Sequence, residues 1–334
     1  MLYIDLSQEE RIDICNRVQE ETGLSPQIVE KDWWVTTILR ALFSLPYTDA
    51  LSFKGGTSLS KCFSIINRFS EDADVAINRE YLGFAGDLSK NQISDKLRRA
   101  TCSFVREKLQ FDLKDKLIDY GVNPSKFDVN VNITPITTTD PEIVEITYDS
   151  IFQELPYIKN KVIIEFSGRS MIEPTKQVQV NSLIDSVYPN APFVEKPFCV
   201  ETVLVERTFL EKICLLHEEF YKPQENMRSD RMSRHLYDVI RIVDSGYADT
   251  ALNDNELFVA IVEHRRKFIG LKGFDYGSLS PKTINIIPPE EVLEKWKDDY
   301  KKMQDSMIYG DSLSFEELLD QLRILNRRIN DMEI

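Results

Sequence analysis

The stretch KGGTSLSKCFSIINRFSEDADV, residues 54–75, decides how the rest of the chain is read. It follows the short apolar run Leu51-Ser52-Phe53, which has the composition of a strand end. Glycines at 55 and 56 directly after a strand allow a tight turn and let a ligand approach the backbone closely. Beyond them Leu59, Cys62, Phe63 and Ile66 recur at helical spacing, which predicts a helix over 57–66, with Thr57 and Lys61 on its opposite face. A helix start behind glycines offers free N–H groups and a partial positive charge, both suited to phosphate. Asp72 and Asp74 then fall on a strand expected at 73–78. A period of two puts both carboxylates on one face and sends Ala73 and Val75 into the core. Two like charges this close need a cation between them, and Mg²⁺ held by one or two carboxylates and substrate phosphates meets that need.

Outward from this stretch, further strands are expected at 127–134, 143–149 and 161–167, and helices at 7–21, 25–45 and 88–119. Three prolines in SVYPNAPFVEKPF, 186–198, break the pattern at Pro189, Pro192 and Pro197. Most of the chain beyond Pro197 reads as helix, at 206–221, 230–245, 253–270, 288–306 and 313–331. The expectation is an α+β domain over 1–190 and a mainly helical domain over 199–334.

With 334 residues the chain exceeds one ordinary core, which favours two domains. The five cysteines form no CxxC pair and three histidines cannot build a His-rich site, so any metal should be hard and oxygen-bound. No run approaches the length of a membrane span, and the charged amino terminus lacks a signal core, so the expected compartment is the cytoplasm. A net charge of -14 gives no global attraction for nucleic acid; such a substrate would need a local basic patch. The same charge suits a basic protein partner.

The order hGG[ST]…DxD resembles the signature of nucleotidyltransferases related to DNA polymerase β. The fuller FKGGTSLSK…RFSEDADV is similar to the AbiEii/AbiGii toxin family, as are EKDWWVTTILRALF (30–43), ERTFLEKICLLHEEF (206–220), RMSRHLYDV (231–239) and the tail DDYKKMQDSMIYGDSLSFEELL. The resemblance implies a polymerase β-like core with a mixed sheet and a toxin acting in abortive infection and phage defence. Its members work in toxin–antitoxin pairs, so a cognate antitoxin encoded nearby is implied. The implied reaction moves NMP from an NTP to an acceptor, with RNA, and the 3' end of tRNA in particular, as the acceptor. On the same resemblance Lys212 contacts the triphosphate or assists the leaving group, and Asp238 is a catalytic-site residue.

Within their own helices, these two residues have ordinary explanations. Lys212 borders the stripe Phe209, Ile213, Leu216, Phe220, where a lysine can simply snorkel. Asp238 shares a face with Arg234 and Arg241, opposite Leu236, Val239, Ile240 and Val243, which reads as surface ion pairing. A third metal-binding acid is expected at Glu165, on one strand face with Lys161 and Ile163, while Asp128 and Glu145 compete weakly with it. Arg68 and Ser70 could orient Asp72 or touch a phosphate. His235 flanks an apolar stripe, and Trp33 and Trp34 are expected to be buried.

The candidate site therefore comprises Asp72 and Asp74 for metal and catalysis with Glu165 as a further ligand. Gly55, Gly56, Thr57, Ser58, Lys61, Arg68 and Ser70 would contact the nucleotide, and Lys212 and Asp238 complete the catalytic set. Two alternatives stay open: a transferase of this fold acting on a protein or small molecule, and a nucleotide-binding interaction protein without turnover.

Overall fold

The computed structural model describes residues 1–70, 72–131, 140–154 and 159–332. Of the strand expected at 127–134, residues 132–134 lie outside the described residues, as does Glu71. The chain divides into two compact units, Met1–Cys62 with Phe69–Val203, and Phe63–Arg68 with Leu204–Ile334.

The first unit opens with α1 (Gln8–Thr22) and α2 (Pro26–Leu42). Ser7 caps α1 reciprocally with Glu10, and Gly23 ends it in the left-handed region at φ 75°. Next come β1 (Leu51–Lys54), α3 (Gly55–Lys61), β2 (Asp72–Ile77), a long helical run α4 (92–119), and strands β3 (Phe127–Val131), β4 (Glu142–Tyr148) and β5 (Lys161–Ser167). The unit closes with β6 (Thr175–Val180), α5 (Leu183–Val187) and β7 (Phe198–Val203). The seven strands form one sheet in the order β3-β4-β5-β2-β1-β7-β6. The β2–β5 and β1–β7 pairs are parallel and the rest antiparallel, so the sheet is mixed and the class α+β, as expected.

Alternation sets the sheet's two faces. Along β5, Val162, Ile164 and Phe166 are fully buried while Lys161, Ile163, Glu165 and Ser167 keep partial access to solvent. The buried face meets aromatic side chains of α2 and α4: Trp34 stacks on Tyr148 at 4.9 Å and Phe104 on Phe166 at 5.9 Å. Trp33 and Trp34 are buried, in keeping with the apolar run around them. The helices thus cover one side, and the acidic residues of β2 and β5 occupy the other.

The structure corrects several expected boundaries. Strands β6 and β7 were not foreseen: TKQVQV is an edge strand whose Lys176, Gln177 and Gln179 stay exposed, which hides the apolar alternation. The helix expected over 57–66 ends at Lys61, and Ser64 adopts φ 53°, a turn conformation incompatible with continuing it.

The second unit is helical: α6 (Val205–Phe220), α7 (Ser233–Asp244), α8 (Tyr247–Leu252), α9 (Asn255–His264), α10 (Glu290–Ser306) and α11 (Phe315–Asn330). Trp296 packs on Phe220 at 4.9 Å and Tyr300 on Phe315 at 5.8 Å. The short segment 63–68 belongs to this unit. Its Arg68 makes a bridge with Ile308, Asn67 O accepts from Tyr309 N at 3.0 Å, and Asn67 N donates to the Tyr237 hydroxyl at 3.1 Å.

Candidate active site

In the first unit β1 runs into α3 without a loop. Gly55 makes the corner at φ 78°, a conformation open to glycine and strained for other residues. Room is limiting there as well: a Cβ on Gly55 would stand 1.9 Å from Asp74 Oδ2. The Asp74 carboxylate therefore lies directly over the glycine backbone. Gly56 is the part-exposed second residue of α3.

The register fixes the neighbours of that carboxylate. Asp74 pairs with Lys54 on β1 and with Glu165 on β5, while Asp72 pairs with Ile163. Glu165 is thus one strand spacing, about 4.8 Å, from Asp74 on the same face. Among the described residues the Asp74 side chain has neither an ion pair nor a hydrogen bond. A pair of carboxylates with one uncommitted member fits Mg²⁺, which takes one or two protein carboxylates and fills its remaining positions from phosphates and water. No group of three or more His, Cys, Asp and Glu side chains stands ready for a metal among the described residues, so Glu165 is a register neighbour and not part of a preassembled triad.

The hydroxyls of α3 are engaged internally. Buried Thr57 donates to the Asp72 carbonyl and ties the helix to β2; Ser58 donates to Gly55 O at 2.9 Å and braces the corner. Lys61 forms an ion pair with Asp32 of α2, and Asp32 also accepts from Leu183 N at 2.8 Å. Asp32 is a residue that the sequence reading missed as a partner, since nothing in the spacing of positions 32 and 61 brings them together. Ser70 lies half-buried two residues before β2.

In the second unit buried Arg68, Lys212 and Asp238 form one cluster with part-exposed His235. Arg68 grips Asp238 with two bonds, Nε to Oδ1 at 2.7 Å and Nη2 to Oδ2 at 2.8 Å. Lys212 Nζ reaches Asp238 Oδ2 at 2.8 Å and His235 Nδ1 at 3.3 Å. Burial pushes the Asp238 carboxyl up, but Arg68 and Lys212 outweigh it and hold it well below the usual carboxylate range. Burial pulls Lys212 down against the attraction of Asp238. Burial and the neighbouring cations Lys212 and Arg234 hold His235 well below its ordinary value.

This arrangement replaces the surface ion pairing with Arg234 and Arg241 that the helix by itself suggests for Asp238. Its side chain is 0% exposed, and its main partner comes from a segment distant in sequence. Two basic side chains close on one carboxylate and hold it in its charged form. Asp238 thus holds Arg68 and Lys212 together on one carboxylate.

A mixed sheet in which a strand–GG[ST]–helix corner lies beside a DxD strand defines a nucleotidyltransferase core. The family model described as the nucleotidyl transferase AbiEii toxin of type IV toxin–antitoxin systems matches residues 37–321, and the chain belongs to that family. The protein is thus a nucleotidyltransferase toxin in type, with an NTP substrate and a cognate antitoxin implied by its family. No curated protein matches the sequence. Among solved structures it is similar to JHP933 from Helicobacter pylori, at 15% identity and TM-score 0.43, covering 92% of this chain and 93% of that one. It is also similar to MenT4, a nucleotidyltransferase toxin from Mycobacterium tuberculosis H37Rv, at 14% identity and TM-score 0.40, covering 97% and 98%. No helix among the described residues is long and apolar enough to cross a membrane.

Proposed function

We propose that this chain transfers a nucleoside monophosphate from an NTP to an RNA hydroxyl, the 3' end of tRNA, in the cytoplasm, with Mg²⁺ held at Asp72 and Asp74. The observation that carries this reading is the position of Asp74, uncommitted and packed over Gly55, on the same face as Asp72 and Glu165. Bound Mg²⁺ would supply charge neutralisation to the triphosphate and acidify the attacking hydroxyl.

The chain's own residues do the rest. Gly55 and Gly56 give the triphosphate close access to the backbone. Thr57 and Ser58 hold the corner in shape, and Lys61 fixes α3 against α2. Glu165 is the candidate to join the metal site once a ligand is present. In the second unit Lys212 is the candidate contact for the triphosphate, and Asp238 positions it beside Arg68.

Purified protein incubated with Mg²⁺, each labelled NTP in turn and total tRNA is expected to label the RNA. Asp72→Ala is expected to abolish labelling, since loss of a metal ligand removes several kcal/mol of transition-state stabilisation, on the order of a thousandfold in rate. Undiminished labelling by that variant would remove Asp72 from the metal site. A small regulator encoded in the adjacent reading frame would support the pairing with an antitoxin.

A further inference from the structure

On a chain of net charge -14, an RNA acceptor needs a local positive surface. Residues 264–282 of the second unit supply one: Arg265, Arg266, Lys267, Lys272 and Lys282 stand against the single acid Asp275. The first two are committed, Arg265 to Glu218 at 2.7 Å and Arg266 to Glu263. Lys272 and Lys282 are exposed and have neither ion pair nor hydrogen bond among the described residues.

Two aromatic residues, Phe274 and Tyr276, lie between Lys272 and Lys282 in the chain. Phe274 meets Tyr221 edge-on at 5.0 Å and Tyr276 edge-on at 4.9 Å, and Tyr221 is 49% exposed at the end of α6. The loop that carries them is pinned. Leu271 N donates to the Tyr276 hydroxyl at 3.0 Å, His217 Nε2 and Ser278 Oγ share a bond at 3.0 Å, and Asn285 N donates to His217 Nδ1 at 3.0 Å. Nearby acids are neutralised or engaged: Glu219 binds Lys222 and Arg228, and Asp275 caps the turn through Gly277 N at 2.9 Å.

We propose that loop 271–282 together with Tyr221 is the docking surface for a single-stranded RNA acceptor. Bases stack on the Tyr221, Phe274 and Tyr276 rings, and phosphates bind Lys272 and Lys282. Rings that accept any base and lysines that track the backbone are the two components of sequence-tolerant single-strand binding. The assignment rests on the RNA reading of the preceding section.

The test is anisotropy of labelled oligouridylate and of labelled tRNA on the intact chain across a salt series. The double variant Lys272→Glu with Lys282→Glu is expected to weaken binding at least tenfold and to lower the slope of log K against log salt by about 1.4, two phosphates' worth. Tyr221→Ala is expected to cost about tenfold with the slope unchanged, and Tyr221→Phe to bind as the parent does. Melting temperature and NTP binding should stay at parental values in all three. If the parent binds and labels RNA while every variant binds it equally well, this surface is wrong and the RNA reading survives. A parent that binds no RNA overturns both. Variants that keep RNA but lose a protein partner assign the surface to that partner and overturn the proposal.

Discussion

Gly55 answers two demands at one position, a backbone at φ 78° and space for the Asp74 carboxylate. Gly55→Ala would have to move Asp74 as well as strain the corner. The expected outcome is a loss of about 1–3 kcal/mol from the unfavourable φ, with transfer activity reduced far more than stability, read by thermal unfolding beside the labelling assay. His235 and His217 respond to pH. Burial lowers both, so below about pH 6.5 the unfolded chain takes up protons that the folded chain refuses. Stability is complete above that pH and declines as it falls, by up to about 1.4 kcal/mol per pH unit for each histidine. Asp238 acts lower on the scale: its depressed carboxyl contributes stability above about pH 3.9 that is lost only on further acidification. Melting curves from pH 8 to pH 5 should therefore fall, and His235→Gln should flatten the fall. At this scale the period of two in DADV put Asp72 and Asp74 on one face from sequence alone. The burial of Asp238 was not legible, because its counter-ion Arg68 lies 170 residues away and no local pattern encodes such a pair.

Among the elements, the seven-residue helix α3 is held by side chains that sequence reading assigned to a ligand. The Thr57 hydroxyl bonds the Asp72 carbonyl, so Thr57→Val leaves a part-buried acceptor without this donor. A cost of about 1–3 kcal/mol is expected, with kcat reduced and the KM for NTP unchanged. A direct phosphate contact by Thr57 would raise KM instead, and steady-state kinetics separates the two. β5 and α6 were legible within a residue because an apolar stripe marks the buried side of each, and α2 within a few residues because its long apolar run has room only for a buried helix. β6 and β7 were not. One is a polar edge and the other begins immediately after Pro197, so neither shows the alternation of a half-buried strand. The short helix α8, Tyr247–Leu252, was missed in the gap between the helices expected at 230–245 and 253–270, because six residues are too few to display a helical period.

For the molecule as a whole, the informative feature is that segment 63–68 belongs to the unit formed by residues 204–334. A fragment beginning at Leu204 would lack Arg68, leaving Asp238 with Lys212 alone, and would lose the Asn67 bonds to Tyr237 and Tyr309. Removing one member of a buried ion pair costs about 3–5 kcal/mol. In a unit of this size that is on the order of 10–20 °C, so the fragment should melt well below the intact chain, measured by circular dichroism. The same threading sets a clock on the ribosome. Arg68 emerges 170 residues ahead of Asp238, and at about 5–20 residues per second the guanidinium waits on the order of 10–30 s for its carboxylate. Throughout that interval the guanidinium has no carboxylate to close on, so the second unit can complete its buried ion pair only after residue 238 has left the ribosome.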